Sequence, residues 1–154
     1  LNHQLMKRIT SCKLLGRAAD VFFRRSAIDF YTTYLHYLRQ PSPIMLHEKQ
    51  RQQLQEIVNY IMLYPAEAGS GEDLCHKFKV TPPFLKMPFE QEYLISVEAL
   101  ILQEKMALIF KLITETNHTL SYIANLTKYS SWEELAKAFE LYYKCSIADL
   151  RKAQ

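Results

Sequence analysis

Apolar residues recur at helical spacing along almost the whole chain, and no stretch alternates apolar and polar residues clearly enough to predict a strand. The first forty residues predict two helices or one long bent helix. The proline segment at residues 41–43 ends this region, because proline lacks the amide that a helix interior needs and disfavours helix in the residue before it. The predicted fold class is therefore all-α.

After the proline segment the pattern predicts seven more helices, and the one that starts at Ser96, between two shorter groups, is predicted to be the longest of the chain. Capping side chains are expected at Ser70 and Thr81. Twice in this order two short helices flank a turn of a few residues, which is a helix-turn-helix outline. The predicted helices cover residues 46–64, 71–78, 82–92, 96–116, 120–126, 132–143 and 148–152.

From about residue 50 to residue 153, this order of helices resembles the DNA-binding domain of AraC/XylS-type transcription regulators. The resemblance is carried by core and cap positions of both helix-turn-helix outlines and of the connector between them. The matching residues are Leu74, Thr81, Phe84, Leu85, Phe89, Ile95, Ser96, Val97, Lys105, Met106, Ile109, Leu112, Ile113, Ile123, Ala124, Phe139 and Arg151. The resemblance implies two helix-turn-helix subdomains joined by a long connector helix, double-stranded DNA as partner, and transcription regulation as function.

The resemblance also implies a domain division. Residues 46–154 would form the AraC-like double helix-turn-helix domain, and residues 1–45 an N-terminal segment of one or two linker helices that often dimerises in the family. Tyr31, Tyr34 and Tyr37 stand three residues apart in that segment and form an aromatic face too broad for a small unit to bury alone. Two interpretations stay open: the face forms a homodimer, or it packs against the chain's own C-terminal half.

The chain departs from the family pattern at its hinges. The family places glycine at both helix-turn-helix turns and after both recognition helices, where this chain has Lys79, Leu94, Lys128 and Lys144. These hinges are either left-handed and strained by about 1 kcal/mol each or differently shaped. Pro88 lies inside the first recognition helix at a cost of roughly 3 kcal/mol, and we expect a kinked or shortened helix there.

If the family geometry holds, recognition helices at residues 82–92 and 131–142 would enter successive segments of the major groove, the second being the better candidate for base contact. The candidate DNA-binding residues are the cations beside these helices and the side chains at their exposed starts. They are Thr81, Lys86, Met87, Lys105, Lys128, Ser130, Ser131, Trp132, Glu133, Lys137 and Lys144. Among them, the candidates for phosphate contact are Lys86, Lys105, Lys128 and Lys144.

Some of these candidates have a purely structural interpretation as well. Trp132 either contacts a base edge or packs against a neighbouring helix, and we favour packing. Glu133 and Glu134 either accept hydrogen bonds from cytosine or compensate the helix dipole at the start of their helix, and we favour the dipole. Both interpretations of each residue remain open from the sequence.

The charge distribution supports a second hypothesis. Residues 1–45 hold seven Lys or Arg against two acids, whereas residues 46–154 hold twelve against fourteen. Because DNA affinity rests mostly on neutralising phosphates, an acidic domain must concentrate its cations on one face. The alternative is a diverged AraC-like domain that serves protein interaction or dimerisation instead. Lys13, Arg17, Arg24 and Arg25 form either a patch for nucleic acid or an acidic partner, or a solvated basic face.

Several other classes of function have no support in the sequence. No nucleophile and base stand at motif spacing, no glycine-rich phosphate loop is present, and we expect no enzyme activity, cofactor or metal. Cys12, Cys75 and Cys145 are odd in number and far apart, and we expect buried thiols. Without a membrane-spanning stretch or a signal sequence, we expect a cytoplasmic protein. The first residue is Leu and no β-rich sensor domain is present, so we expect a piece of a longer chain.

Overall fold

The computed structural model describes residues 2–39 and 45–151, and all regular structure within these ranges is α-helical. The prediction of an all-α fold is confirmed. The proline segment predicted to end the N-terminal region lies outside the described residues. The helices are α1 Asn2–Thr10, α2 Gly16–Leu38, α3 Glu48–Leu63, α4 Gly71–Phe78, α5 Pro82–Tyr93, α6 Val97–Glu115, α7 Leu120–Leu126, α8 Trp132–Tyr143 and α9 Ile147–Arg151.

The N-terminal region forms two helices and not one bent helix. The second of them, α2, has 23 residues and is longer than the 19-residue connector α6. The prediction that the connector is the longest helix is therefore wrong. Nothing ends α2 earlier, because neither glycine nor proline occurs between Arg17 and Leu38.

The described residues divide into two compact units. The α8 unit consists of residues 2–32 and 106–151, and the α5 unit consists of residues 33–39 and 45–105. In the α8 unit the fully buried Phe139 stacks near-parallel to Phe110 at 6.2 Å between ring centroids. The Tyr143 hydroxyl donates to the Met106 carbonyl at 3.2 Å. Ala18 and Val21 of α2 belong to the same core, so the first half of α2 packs with α8.

The α5 unit has a separate set of buried side chains. Phe89 of α5 is fully buried and its ring lies 4.9 Å from that of Tyr93. The Arg51 Nε is 3.2 Å from Glu92 Oε1, which joins α3 to α5. The other large, fully buried residues here are Leu54, Ile57, Ile61, Leu74 and Leu100. The functional division at residue 45 stays a prediction.

All four hinge residues singled out in the sequence are left-handed. Their φ angles are 53° at Lys79, 61° at Leu94, 59° at Lys128 and 56° at Lys144. The first and third close Schellman-type caps, in which Val80 donates to the Cys75 carbonyl and Tyr129 to the Ala124 carbonyl. Of the two alternatives left open by the sequence, the strained left-handed hinge is therefore the correct one.

Pro88 does not shorten its helix, because α5 continues from Pro82 to Tyr93. Leu85 and Phe89 on either side of Pro88 are both buried. Packing of these side chains is worth about 1.5–3 kcal/mol each, which offsets the roughly 3 kcal/mol cost of an interior proline. The expectation of a shortened helix is wrong, since tertiary packing outweighs the local propensity, and the alternative of a kinked helix stays a prediction.

We expect Lys79→Gly to stabilise the protein by about 0.5–1 kcal/mol. Glycine removes the 1–2 kcal/mol strain of a left-handed L-residue. It also increases the conformational entropy of the unfolded chain, which offsets part of this gain in the free energy of unfolding. Lys79 is exposed, so its side chain contributes little packing that the substitution could remove. The measurement is urea denaturation followed by circular dichroism. Lys86→Gly, at an exposed position inside α5, is the control and should destabilise by about 1 kcal/mol.

Candidate nucleic-acid interface

The second helix-turn-helix consists of α7, a five-residue turn and α8. Thr119 caps the start of α7, where its side chain accepts a hydrogen bond from the Tyr122 amide at 3.2 Å. Thr127 in the turn is fully buried and its hydroxyl donates to the Ile123 carbonyl at 2.7 Å. The left-handed Lys128 then turns the chain away from α7, and its side chain is exposed. The turn is therefore fixed by hydrogen bonds within it.

The start of α8 is held by a reciprocal cap. The Ser131 hydroxyl accepts from the Glu134 amide at 3.2 Å, and the Glu134 carboxylate accepts from the Ser130 amide at 3.1 Å and from the Ser130 hydroxyl. These hydrogen bonds from Ser130 lower the pKa of the Glu134 carboxyl. Glu134 therefore has a structural role as part of this cap, whereas its effect on the helix dipole stays a prediction. Ser130 and Ser131, which were predicted to contact DNA, contribute to this cap.

The outer face of α8 carries the remaining candidates. Glu133, Lys137, Glu140 and Lys144 are exposed and follow one another at helical spacing along one face. Trp132 in the first turn is 45% exposed, so both packing and contact with a partner stay open for it. At the start of α8 it leaves part of an aromatic surface accessible to solvent.

Cations stand at both ends of α8. Lys128 lies in the turn before the helix, and Lys144 is the C-cap residue after it. Within the part of the chain that the structure describes, neither lysine nor Lys137 forms an ion pair. Three ammonium groups are thus available around a helix of about 18 Å, the length of twelve residues.

The first helix-turn-helix presents a different surface. Thr81 occupies the N-cap position of α5, as predicted, but its side chain accepts no capping hydrogen bond. Lys86 and Met87 are exposed on α5. A cleft of about 340 Å³ beside Lys86 is lined by three glutamates and the half-buried Cys75 thiol. The glutamates are Glu72, Glu90 and Glu98.

The acids in this cleft lower the electrostatic potential around α5, which disfavours approach of phosphate. Lys105, the other candidate of the α5 unit, is only half exposed and interacts with a neighbouring group. The candidates are therefore divided between the units: Thr81, Lys86, Met87 and Lys105 lie in the α5 unit, and the other seven in the α8 unit.

A contact between α2 and α8 was not predicted. The Arg25 guanidinium lies 3.7 Å above the Tyr142 ring, and its Nη2 is 2.5 Å from Asp29 Oδ1. The Tyr142 hydroxyl donates to Asp29 Oδ2 at 3.4 Å. Burial raises the pKa of the Asp29 carboxyl, and Arg25 opposes that rise. Arg25 is thus engaged within the fold and is not part of a free basic patch. In the sequence only the ion pair within α2 could have been expected, because Arg25 and Asp29 are one helical turn apart.

The prediction of three buried thiols is wrong for two of them. Cys145 is buried and belongs to the core of the α8 unit, whereas Cys12 and Cys75 are half-buried. Among the described residues no group of His, Cys, Asp or Glu is arranged to hold a metal ion. No helix in the same residues has the length and apolar character required to cross a membrane.

Among solved structures the chain is similar to the C-terminal domain of AraT, a response regulator from Geobacillus stearothermophilus, with a TM-score of 0.57 and 21% sequence identity. The match covers 72% of this chain and 89% of that one. No protein-family model and no curated protein matches the sequence. At this level of identity the similarity shows a shared fold. The chain therefore has the all-α, helix-turn-helix fold of a response regulator's C-terminal domain.

Proposed function

We propose that this chain is the DNA-binding part of an AraC-type transcription regulator and that it binds double-stranded DNA in the cytoplasm. The observation that carries the proposal is the surface of α8. A capped recognition helix presents Trp132 and Lys137, with the unpaired cations Lys128 and Lys144 at its two ends. The fold shared with the C-terminal domain of a response regulator supports the same conclusion.

In this proposal α8 lies in the major groove, which is about 12 Å wide and accepts one helix. Trp132 and Glu133 at the start of α8 contact base edges, and Glu133 accepts a hydrogen bond from a cytosine amino group. Lys128, Lys137 and Lys144 contact phosphates, which fixes the register of the helix but carries no sequence information. The reciprocal cap of Ser130, Ser131 and Glu134 holds the first turn in place for these contacts.

The first helix-turn-helix makes the weaker contribution in this proposal. Thr81, Lys86 and Met87 of the α5 unit contact a neighbouring segment of the groove, and Lys105 adds a phosphate contact. The acidic cleft beside Lys86 reduces the electrostatic gain from these contacts. Base readout is therefore assigned mainly to α8.

The proposal is tested by titrating the protein with a mixed-sequence duplex over a range of monovalent salt and plotting log affinity against log salt. Each neutralised phosphate contributes about −0.9 to the slope, so at least three contacts give a slope of about −2.7 or steeper. Single-stranded DNA of the same sequence is the control. A slope near zero, or no binding at low salt, would contradict the proposal.

A second candidate function is favoured by a different observation. Tyr31, Tyr34 and Tyr37 on α2 are between 51% and 62% exposed. Such a face is typical of a protein interface. The alternative is therefore a domain that serves protein interaction, including a homodimer through residues 1–45. Sedimentation equilibrium of the wild type and of Tyr34→Ser tests this alternative. If the protein dimerises through this face, the dimer of the variant should dissociate at a higher protein concentration than that of the wild type.

A further inference from the structure

A cleft of about 370 Å³ in the α8 unit is lined by residues from the start of α2 and from the end of α8. The start of α2 contributes Arg17, Asp20 and Arg24, and the end of α8 contributes Lys144 and the adjacent Cys145. Arg17 and Arg24 are more than one hundred residues from Lys144 in the sequence. The fold brings them to one site.

The charges in this cleft are unbalanced. Three cations line it against one carboxylate, that of Asp20, which lies 2.6 Å from the Arg24 guanidinium. The Arg17 guanidinium is 3.5 Å from the carboxylate of Asp149, which does not line the cleft. The Arg17–Asp149 and Arg24–Asp20 ion pairs are both exposed to solvent. Exposed pairs of this kind contribute little to stability and exchange readily for another anion. Lys144 has no ion pair within the described residues.

Both guanidinium groups are also close enough to Cys145 to act on its thiol. Burial raises the pKa of Cys145; Arg17 and Arg24 oppose that rise, whereas the acids Asp149 and Glu140 add to it. The positive end of the α2 helix dipole adds to the potential, since the first residue of α2, Gly16, lines the cleft as well. The lining of the cleft therefore has an excess of cations, with two further acids, Asp149 and Glu140, near it.

We infer that this cleft binds a phosphate group of the DNA backbone, and that Arg17 and Arg24 of α2 extend the contact surface of α8. The inference rests on the proposed function. Its geometry follows from the length of α8, about 18 Å, compared with the major-groove width of about 12 Å. When the first turn of α8 lies over the bases, its C-terminal end reaches the phosphates that border the groove. The guanidinium groups suit this ligand, because their forked donors match phosphate oxygens in pairs.

The test compares the wild-type protein with the double variant Arg17→Gln/Arg24→Gln in the same duplex titration. We expect the salt slope of the double variant to be shallower by about 0.9 for each phosphate that is no longer neutralised, which corresponds to about 10- to 60-fold weaker binding at 0.1 M salt. Asp20→Asn removes the competing carboxylate, and we expect several-fold tighter binding. A gain of affinity cannot arise from unfolding.

Matched controls remove the same charges elsewhere. Lys49→Gln/Lys111→Gln removes two exposed cations outside the cleft, and Glu56→Gln removes an exposed acid on α3. Neither control should change the slope. A steep wild-type slope that the double variant retains would overturn the inference and leave DNA binding by α8 standing. A flat wild-type slope would overturn both.

A free anion could use the same chemistry, and a separate arm identifies it. Thermal unfolding is followed in inorganic phosphate and in chloride at equal ionic strength, for the wild type and the double variant. If phosphate stabilises only the wild type while the DNA slopes of the two proteins agree, the cleft binds a free anion and the assignment to the DNA backbone is wrong.

Discussion

Replacing Phe139 by alanine is expected to remove about 3–5 kcal/mol of unfolding free energy. The Phe139 side chain is fully buried, with its ring 6.2 Å from Phe110 and 4.6 Å from Tyr143. The substitution removes this aromatic packing and leaves a cavity that the surrounding helices fill only in part. Since domains of this size are stable by about 5–15 kcal/mol, the variant would lose between about a fifth and all of its stability. Urea denaturation followed by circular dichroism measures the decrease.

Two control variants show whether the decrease in stability comes from the loss of buried packing. Trp132→Ala removes a larger aromatic side chain from the same helix, but from an exposed position, and should cost about 1 kcal/mol or less. Phe89→Ala makes the same change at a fully buried position of the α5 unit and should cost as much as Phe139→Ala. A decrease below 1 kcal/mol for Phe139→Ala would mean that α8 does not pack as described. The DNA contact surface proposed on α8 would then be contradicted as well.

Local features of the fold could be predicted from the sequence because their causes lie within a few residues. Ser70 and Asp73 form the capping box that starts α4, with the Ser70 amide 2.7 Å from the Asp73 carboxylate. The bounds of α7 and α8 agree with the predicted ranges 120–126 and 132–143. Capping pairs and apolar periodicity act over one or two turns, so their information is complete in the sequence.

Features that depend on tertiary contacts could not be predicted in the same way. Arg25 lies against Tyr142, 117 positions away in the chain, and this pairing decides that Arg25 is not available to a partner. The same holds for Pro88, where the buried neighbours Leu85 and Phe89 outweigh a local preference. In each case the sequence supplied the residue but not the packing that determines its role.

The conformation of the hinge residues could be predicted only in part from the sequence. The sequence limited Lys128 and Lys144 to strained left-handed residues or to turns of another shape, and the structure decides for the first. Lysine at a left-handed hinge is strained by about 1 kcal/mol or more, whereas glycine is not. A contact between the lysine ammonium group and a phosphate would explain why lysine occupies these hinges. The explanation predicts opposite effects of a single substitution on stability and on affinity.

The double variant Lys128→Gly/Lys144→Gly is therefore expected to unfold at a higher urea concentration than the wild type and to bind duplex DNA more weakly. Glycine relieves the strain at both hinges, for a gain of about 1–2 kcal/mol in total. It also removes two cations, and the salt slope should become shallower by about 1.8. Lys128→Glu/Lys144→Glu removes the same two cations and adds repulsion from the phosphates. It should lower affinity on the order of 1,000-fold, since a charged hydrogen bond contributes about 1.5–3 kcal/mol.

Lys79 provides the matched control for both effects. It occupies the equivalent left-handed hinge of the first helix-turn-helix and is exposed in the same way, but it is not among the candidate DNA contacts. Lys79→Gly should stabilise the protein and leave DNA affinity unchanged, and Lys79→Glu should alter affinity far less than reversal at Lys128 and Lys144. If the glycine variants at all three positions raised stability and none altered DNA affinity, the lysines at the ends of α8 would have no role in phosphate contact. The strained hinges would then have no functional explanation in DNA binding, and the protein-interaction hypothesis would be the better account of this surface.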